Sequence, residues 1–122
     1  MINQFGAKLD RNGYAPSIMQ LPGQFGEVCF LCGEDPHPGP AGKLDRHEIF
    51  GGPFRKKSKA LGLWVLVHDR PCHLERIHMD AAVALRLKKS GQRAAMRAYG
   101  WTVEDFRREF GKNYLDQEDA DA

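Results

Sequence analysis

The sequence predicts a small α+β domain that is braced by a structural zinc site and continues into helices. Three observations carry this expectation. Two short β-type segments occupy 44–50 and 61–67, helical patterns occupy 80–99 and 102–110, and a cysteine-bearing turn flanks the strands on either side. At 122 residues the chain has room for one compact core with short appendages and not for two. Its 42% hydrophobic and 28% charged residues are the composition of an ordinary globular protein. No apolar run approaches the roughly 20 residues that span a bilayer, and the N-terminus lacks a signal-peptide core. A cytoplasmic, intracellular protein with no membrane partner is therefore expected.

Residues 1–26 contain Gly, Pro and Asn at intervals and few periodic apolar positions, so they read as an irregular N-terminal arm. The first turn follows as Cys29-Phe-Leu-Cys32-Gly33. A redox CxxC opens a helix, but the run Glu34-Asp35-Pro36-His37-Pro38-Gly39-Pro40 forbids one here. A zinc knuckle fits this spacing better. The complementary pair is His68 and Cys72, with three residues between them, so that three thiolates and one imidazole complete a tetrahedral, zinc-selecting set: Cys29, Cys32, His68 and Cys72.

Between the knuckles, 44–50 ends in alternating polar and apolar side chains, and Gly51-Gly52-Pro53 stops it. His47 and Glu48 are adjacent, metal-capable side chains near the end of this strand. The basic run Phe54-Arg55-Lys56-Lys57-Ser58-Lys59 reads as a connecting loop, in which Arg55, Lys56, Lys57 and Lys59 are candidate phosphate contacts. The aliphatic and aromatic segment 61–67 reads as the second strand and runs directly into the second knuckle. Residues 73–79 then read as a short helix or helical turn bearing His73 and His78.

Asp80 is placed to cap a helix over 80–99 whose apolar positions include Val83, Leu87, Ala94 and Tyr99, with Ser90-Gly91 expected to loosen its middle. Thr102 opens a second helix that Gly111 ends, and Phe106 and Phe110 share its packing face. The last seven residues hold Asp116, Glu118, Asp119 and Asp121 and read as an acidic disordered tail. Removing those four acids raises the net charge from +2 to +6, a surplus suited to a polyanionic partner.

Taken in order, these segments resemble the HNH nuclease family, with its ββα-metal fold, and most closely the small HNH proteins carried by phages and prophages. The resemblance rests on Cys29-x-x-Cys32-Gly33, His47-Glu48-Ile49-Phe50-Gly51-Gly52, Arg55-Lys56-Lys57-Ser58, Leu61-Gly62-Leu63-Trp64-Val65, Cys72-His73 and the closing Phe106-x-x-x-Phe110-Gly111-Lys112-Asn113-Tyr114-Leu115. It covers roughly residues 27–115. It implies a zinc-stabilised HNH core over 27–79 and a C-terminal helical extension over 80–115, acting as a metal-dependent endonuclease on DNA. His47, His73 and His78 are then implied to hold one catalytic divalent ion (Mg²⁺, Mn²⁺, Ni²⁺ or Zn²⁺). The family order places His47 on the metal and Glu48 as the base. The opposite assignment, with His47 as base and Glu48 as ligand, is chemically attractive because imidazole is poised near neutral pH and carboxylate suits a hard divalent ion; the family register is slightly preferred. Two positions depart from the family pattern: Trp64 stands near the middle position of the HNH triad, and the second knuckle reads His-x-x-x-Cys. A zinc-stabilised nucleic-acid-binding module without turnover is the alternative expectation, and a zinc domain that scaffolds a protein complex is a third.

Overall fold

The computed structural model describes residues 1–20, 29–30, 44–68 and 77–115. The observed fold is α+β. A strand β1 (Leu44–Glu48) and a strand β2 (Trp64–His68) form a two-stranded antiparallel sheet, with a short helix α1 (Arg55–Ala60) between them. A long helix α2 (Ala81–Tyr99) and a shorter α3 (Val103–Phe110) follow. No helix among the described residues is long and apolar enough to cross a membrane.

The pairing sets Leu44 against His68, His47 against Val65 and Glu48 against Trp64. Because side chains alternate along a strand, His47 shares a face with Val65, and Glu48 shares the other with Trp64 and Arg46. The first of these faces is the core side: Val65 and Val67 are fully buried in a cluster with Leu63, Leu87, Phe106 and Phe110. The N-terminal arm covers the second face.

Both strands are shorter than the expected segments. β1 yields at Ile49 to a glycine turn and a single 3-10 turn over Gly52–Phe54, which proline initiates. β2 begins at Trp64 because Leu61 caps α1 and Gly62 turns the chain at a φ of +74°. The basic run is also not a loop. Residues Arg55–Ala60 form α1, since Arg, Lys and Ala are good helix formers, and buried Ser58 anchors the helix by accepting the Phe50 N–H at 2.9 Å. Nor does α2 loosen at Ser90-Gly91. The helix is continuous, and Gly91 is where it crosses the end of β1: a Cβ there would stand 3.0 Å from Ile49 and 3.2 Å from Phe50. The glycine permits a close approach.

Helix ends follow their local chemistry. The Asp80 carboxylate accepts the N–H groups of Ala82 and Val83, and Thr102 and Asp105 form a reciprocal capping box at the start of α3. Phe106 and Phe110 are buried, as their spacing predicts. Gln92, also fully buried, donates to Asn113 Oδ1 and accepts from the Tyr114 N–H, both at 2.8 Å, and so ties the end of the described chain to α2.

Over residues 1–20 the arm is irregular, as expected, apart from an isolated bridge between Ile2 and Lys8. It is nevertheless a fixed part of the domain. Ala15 donates its N–H to Lys59 O, Ile18 donates to Gly62 O, Trp64 Nε1 donates to Ala15 O at 2.8 Å, and Ser17 Oγ donates to Trp64 O at 2.6 Å. At Gly62 the arm passes so close that an added Cβ would lie 2.3 Å from the Pro16 carbonyl oxygen. Gly62→Ala is therefore expected to destabilise the protein by about 2–4 kcal/mol, combining the left-handed backbone penalty with a steric clash. Urea unfolding checks this, and a midpoint equal to the parent's would show that the arm yields without cost.

Candidate catalytic cleft

The side chains at the end of β1 open onto a cleft of about 500 Å³. Its lining includes Arg46, His47, Glu48, Arg55, His78 and Lys88. His47 comes from the strand, and His78 comes from the segment just before the Asp80 cap of α2. The two imidazoles meet edge to face with ring centroids 6.1 Å apart. An ion with metal–nitrogen bonds of about 2.0–2.1 Å can take a ligand from each ring at such a separation.

Glu48 points to the opposite face of β1 and has a different partner. Its carboxylate accepts Nε of Arg55, the first residue of α1, at 2.5 Å, and its side chain is only 10% exposed. This pair raises the Arg55 guanidinium above its ordinary value, chiefly through the hydrogen bond and then through the charge of Glu48. Tyr14 reaches the same spot from the arm. Burial and then the Glu48 carboxylate push its phenol above the ordinary value.

Burial likewise raises Tyr99 and Tyr114. A raised phenol in the folded state means that the fold favours the neutral form. The resulting stability is complete below the unfolded value of about 10 and is lost as pH rises through the higher folded values. Unfolding midpoints are thus expected to be flat to about pH 9.5 and to fall above it, in step with phenolate absorbance. Absorbance that rises while the midpoint holds steady would contradict this.

At the far end of the sheet, Cys29 is 1% and His68 is 2% exposed. The Cys29 sulfur accepts the backbone N–H of His68 at 3.5 Å, so two of the expected zinc ligands lie side by side although they are distant in sequence. Cys32, Cys72 and His73 lie outside the described residues. Among the described residues no three His, Cys, Asp or Glu side chains gather as a complete metal site.

The four candidate phosphate contacts divide. Arg55 is paired with Glu48, and Lys57 reaches α3, donating to Glu109 O at 2.8 Å and pairing with its carboxylate at 3.3 Å. Lys59 stands 4.7 Å from the centre of the Tyr14 ring, and Lys56 is exposed. The structure adds three residues that sequence reasoning left out of the site: Arg46, Lys88 and Tyr14. Strand alternation could have found Arg46, two residues from Glu48. No local pattern pointed to Tyr14. Comparison of the chain with protein-family models, curated proteins and solved structures finds no match.

Proposed function

We propose that the chain is a metal-dependent endonuclease of the HNH, ββα-metal type that hydrolyses DNA phosphodiester bonds, stabilised by zinc at Cys29, Cys32, His68 and Cys72. The observation that carries this reading is the convergence of His47 and His78 on one cleft beside Glu48. Two imidazoles suit a divalent ion, and His73 would supply a third. Such an ion, when bound, would polarise the phosphate and offset the charge that develops during hydrolysis.

The protein's own groups have separable tasks. Glu48 lines the same cleft from the other face of β1, a placement that suits the role of base better than that of a third ligand beside the imidazoles: it takes the proton of the attacking water. Arg55 fixes the orientation of that carboxylate. Arg46 and Lys88 bring positive charge to the phosphate from the strand and from α2. Nicking of supercoiled plasmid with Mg²⁺, Mn²⁺ or Ni²⁺, with and without chelator, tests the reading. A chain that binds DNA and never nicks it under any of these ions would be the binding module instead.

On this reading the two neighbouring lysines of α1 differ. Lys56→Ala should weaken DNA binding at every sequence and reduce the salt slope by about 0.9. Lys57→Ala should leave that slope nearly unchanged and instead cost about 1 kcal/mol of stability by unfastening α3. Titrations over a range of salt, beside urea unfolding, separate the two. Equal salt slopes for both variants would refute the division.

A further inference from the structure

On the arm-covered face of the sheet, the planar Arg46 guanidinium lies over two aromatic rings, 4.3 Å from the centre of Tyr14 and 4.9 Å from that of Trp64. Three constraints hold it in place: the two rings, which meet edge to face at 5.6 Å, and an ion pair from Nη1 to Asp10 Oδ2 at 3.0 Å. Its side chain is still 38% exposed. Arg46 also lines three adjoining hollows: the catalytic cleft, a groove of about 420 Å³ with Lys8, Tyr14 and Trp64, and one of about 570 Å³ with Arg55 and Lys59. Asp10 and Glu48, two acids of this surface, are engaged by Arg46 and Arg55. Lys8 flanks the stack in the second hollow, and Lys59, over the Tyr14 ring, shares the third with Asp45, so positive charge borders the guanidinium on both sides.

A guanidinium plane backed by aromatic rings and flanked by lysines is a stacking surface for an unpaired base with its phosphates. We propose that Arg46, on its Tyr14–Trp64 support, is a nucleobase subsite that takes an unpaired nucleotide of a DNA strand passing into the cleft. The proposal rests on the nucleic-acid reading of the cleft and does not require turnover there. It makes the preferred substrate single-stranded or locally opened DNA, because a base inside a duplex has no exposed face to offer.

The test uses the full chain carrying Trp101→Phe, which leaves Trp64 as the sole tryptophan, without added catalytic ion. A 12-residue oligothymidylate is expected to quench Trp64 fluorescence and to bind more tightly than a duplex of the same length. Arg46→Lys keeps the charge and loses the plane, so it should weaken single-strand binding about tenfold or more while weakening duplex binding little. Lys8→Ala, an exposed change that leaves the stack untouched, should reduce the single-strand salt slope by about 0.7 and supplies the reading if Arg46→Lys does not fold. Binding without quenching, a lysine variant equal to its parent, an unchanged salt slope for Lys8→Ala or a duplex bound as tightly would each overturn the subsite. Quenching by a chain that never nicks DNA would uphold the subsite and defeat the nuclease reading alone.

Discussion

His47→Ala is expected to abolish metal-dependent nicking while leaving tightly bound zinc at about one ion per chain. The imidazole lies on the cleft face of β1 against His78, and Cys29 and His68 lie at the opposite end of the strand pair, where Leu44 faces His68. On the proposed reading, loss of His47 therefore removes a cleft ligand without touching the four proposed zinc ligands. Glu48→Gln separates the roles of the two neighbours. With Glu48 as base, turnover falls by about two to four orders of magnitude and Mn²⁺ affinity is nearly unchanged. With Glu48 as ligand, Mn²⁺ affinity falls, and excess Mn²⁺ partly restores the rate. The geometry favours the first outcome, since the carboxylate enters the cleft from the strand face that does not carry His47, where it is paired with Arg55. If both variants nick like the parent, the cleft is not the site of the chemistry.

What the sequence revealed of this arrangement depended on how local its causes are. Caps and stops are written in a few consecutive residues, so Asp80, Thr102 and Gly111 marked the ends of α2 and α3 correctly. The strand pair was legible for the same reason: 44–50 and 61–67 carry their own apolar patterns, and Gly51-Gly52-Pro53 stops the first, although they trimmed by two or three residues when Ile49 and Leu61 were drawn into turns. The short helix α1 was missed because four of its six residues are basic and it shows no apolar periodicity. Its one buried residue is Ser58, which a hydrophobicity pattern passes over. Gly91 misled for a related reason. A glycine inside a helix weakens it in isolation, but here the missing side chain lets α2 rest on Ile49 and Phe50, and packing outweighs propensity.

The site divides along the same line. His47 and Glu48 were visible as a pair of metal-capable neighbours, and their assignment to opposite faces follows from strand alternation alone. The meeting of His47 with His78 is a tertiary fact, which only the order of motifs suggested beforehand. The arm lay beyond reach. Tyr14 meets Arg46, Glu48 and Arg55 because the main chain around it hydrogen-bonds to Lys59 and Trp64, and nothing in residues 1–20 names those partners.

Cys29→Ser is expected to lower bound zinc well below one ion per chain and to lower the melting temperature steeply, because structural zinc in small domains contributes apparent binding energies of roughly 10 kcal/mol or more. The buried sulfur accepting the His68 N–H admits a rival explanation, in which Cys29 is a small core side chain packed among Val65, Val67 and their neighbours. The two differ in what a chelator does. If the sulfur is a zinc ligand, chelation unfolds the parent, added zinc refolds it, and Cys29→Ala responds to neither. If the sulfur only packs, chelation leaves the parent's melting curve in place, and Cys29→Ala costs about 1–3 kcal/mol, the ordinary cost of a small core truncation. Either outcome also bears on the cleft. Cys29 and His68 lie at the Leu44–His68 end of the sheet whose other end carries His47 and Glu48. A protein that loses zinc should therefore lose the strand pairing and, with it, the approach of His47 to His78. On the zinc reading, nicking activity and the melting transition should disappear together as chelator is added.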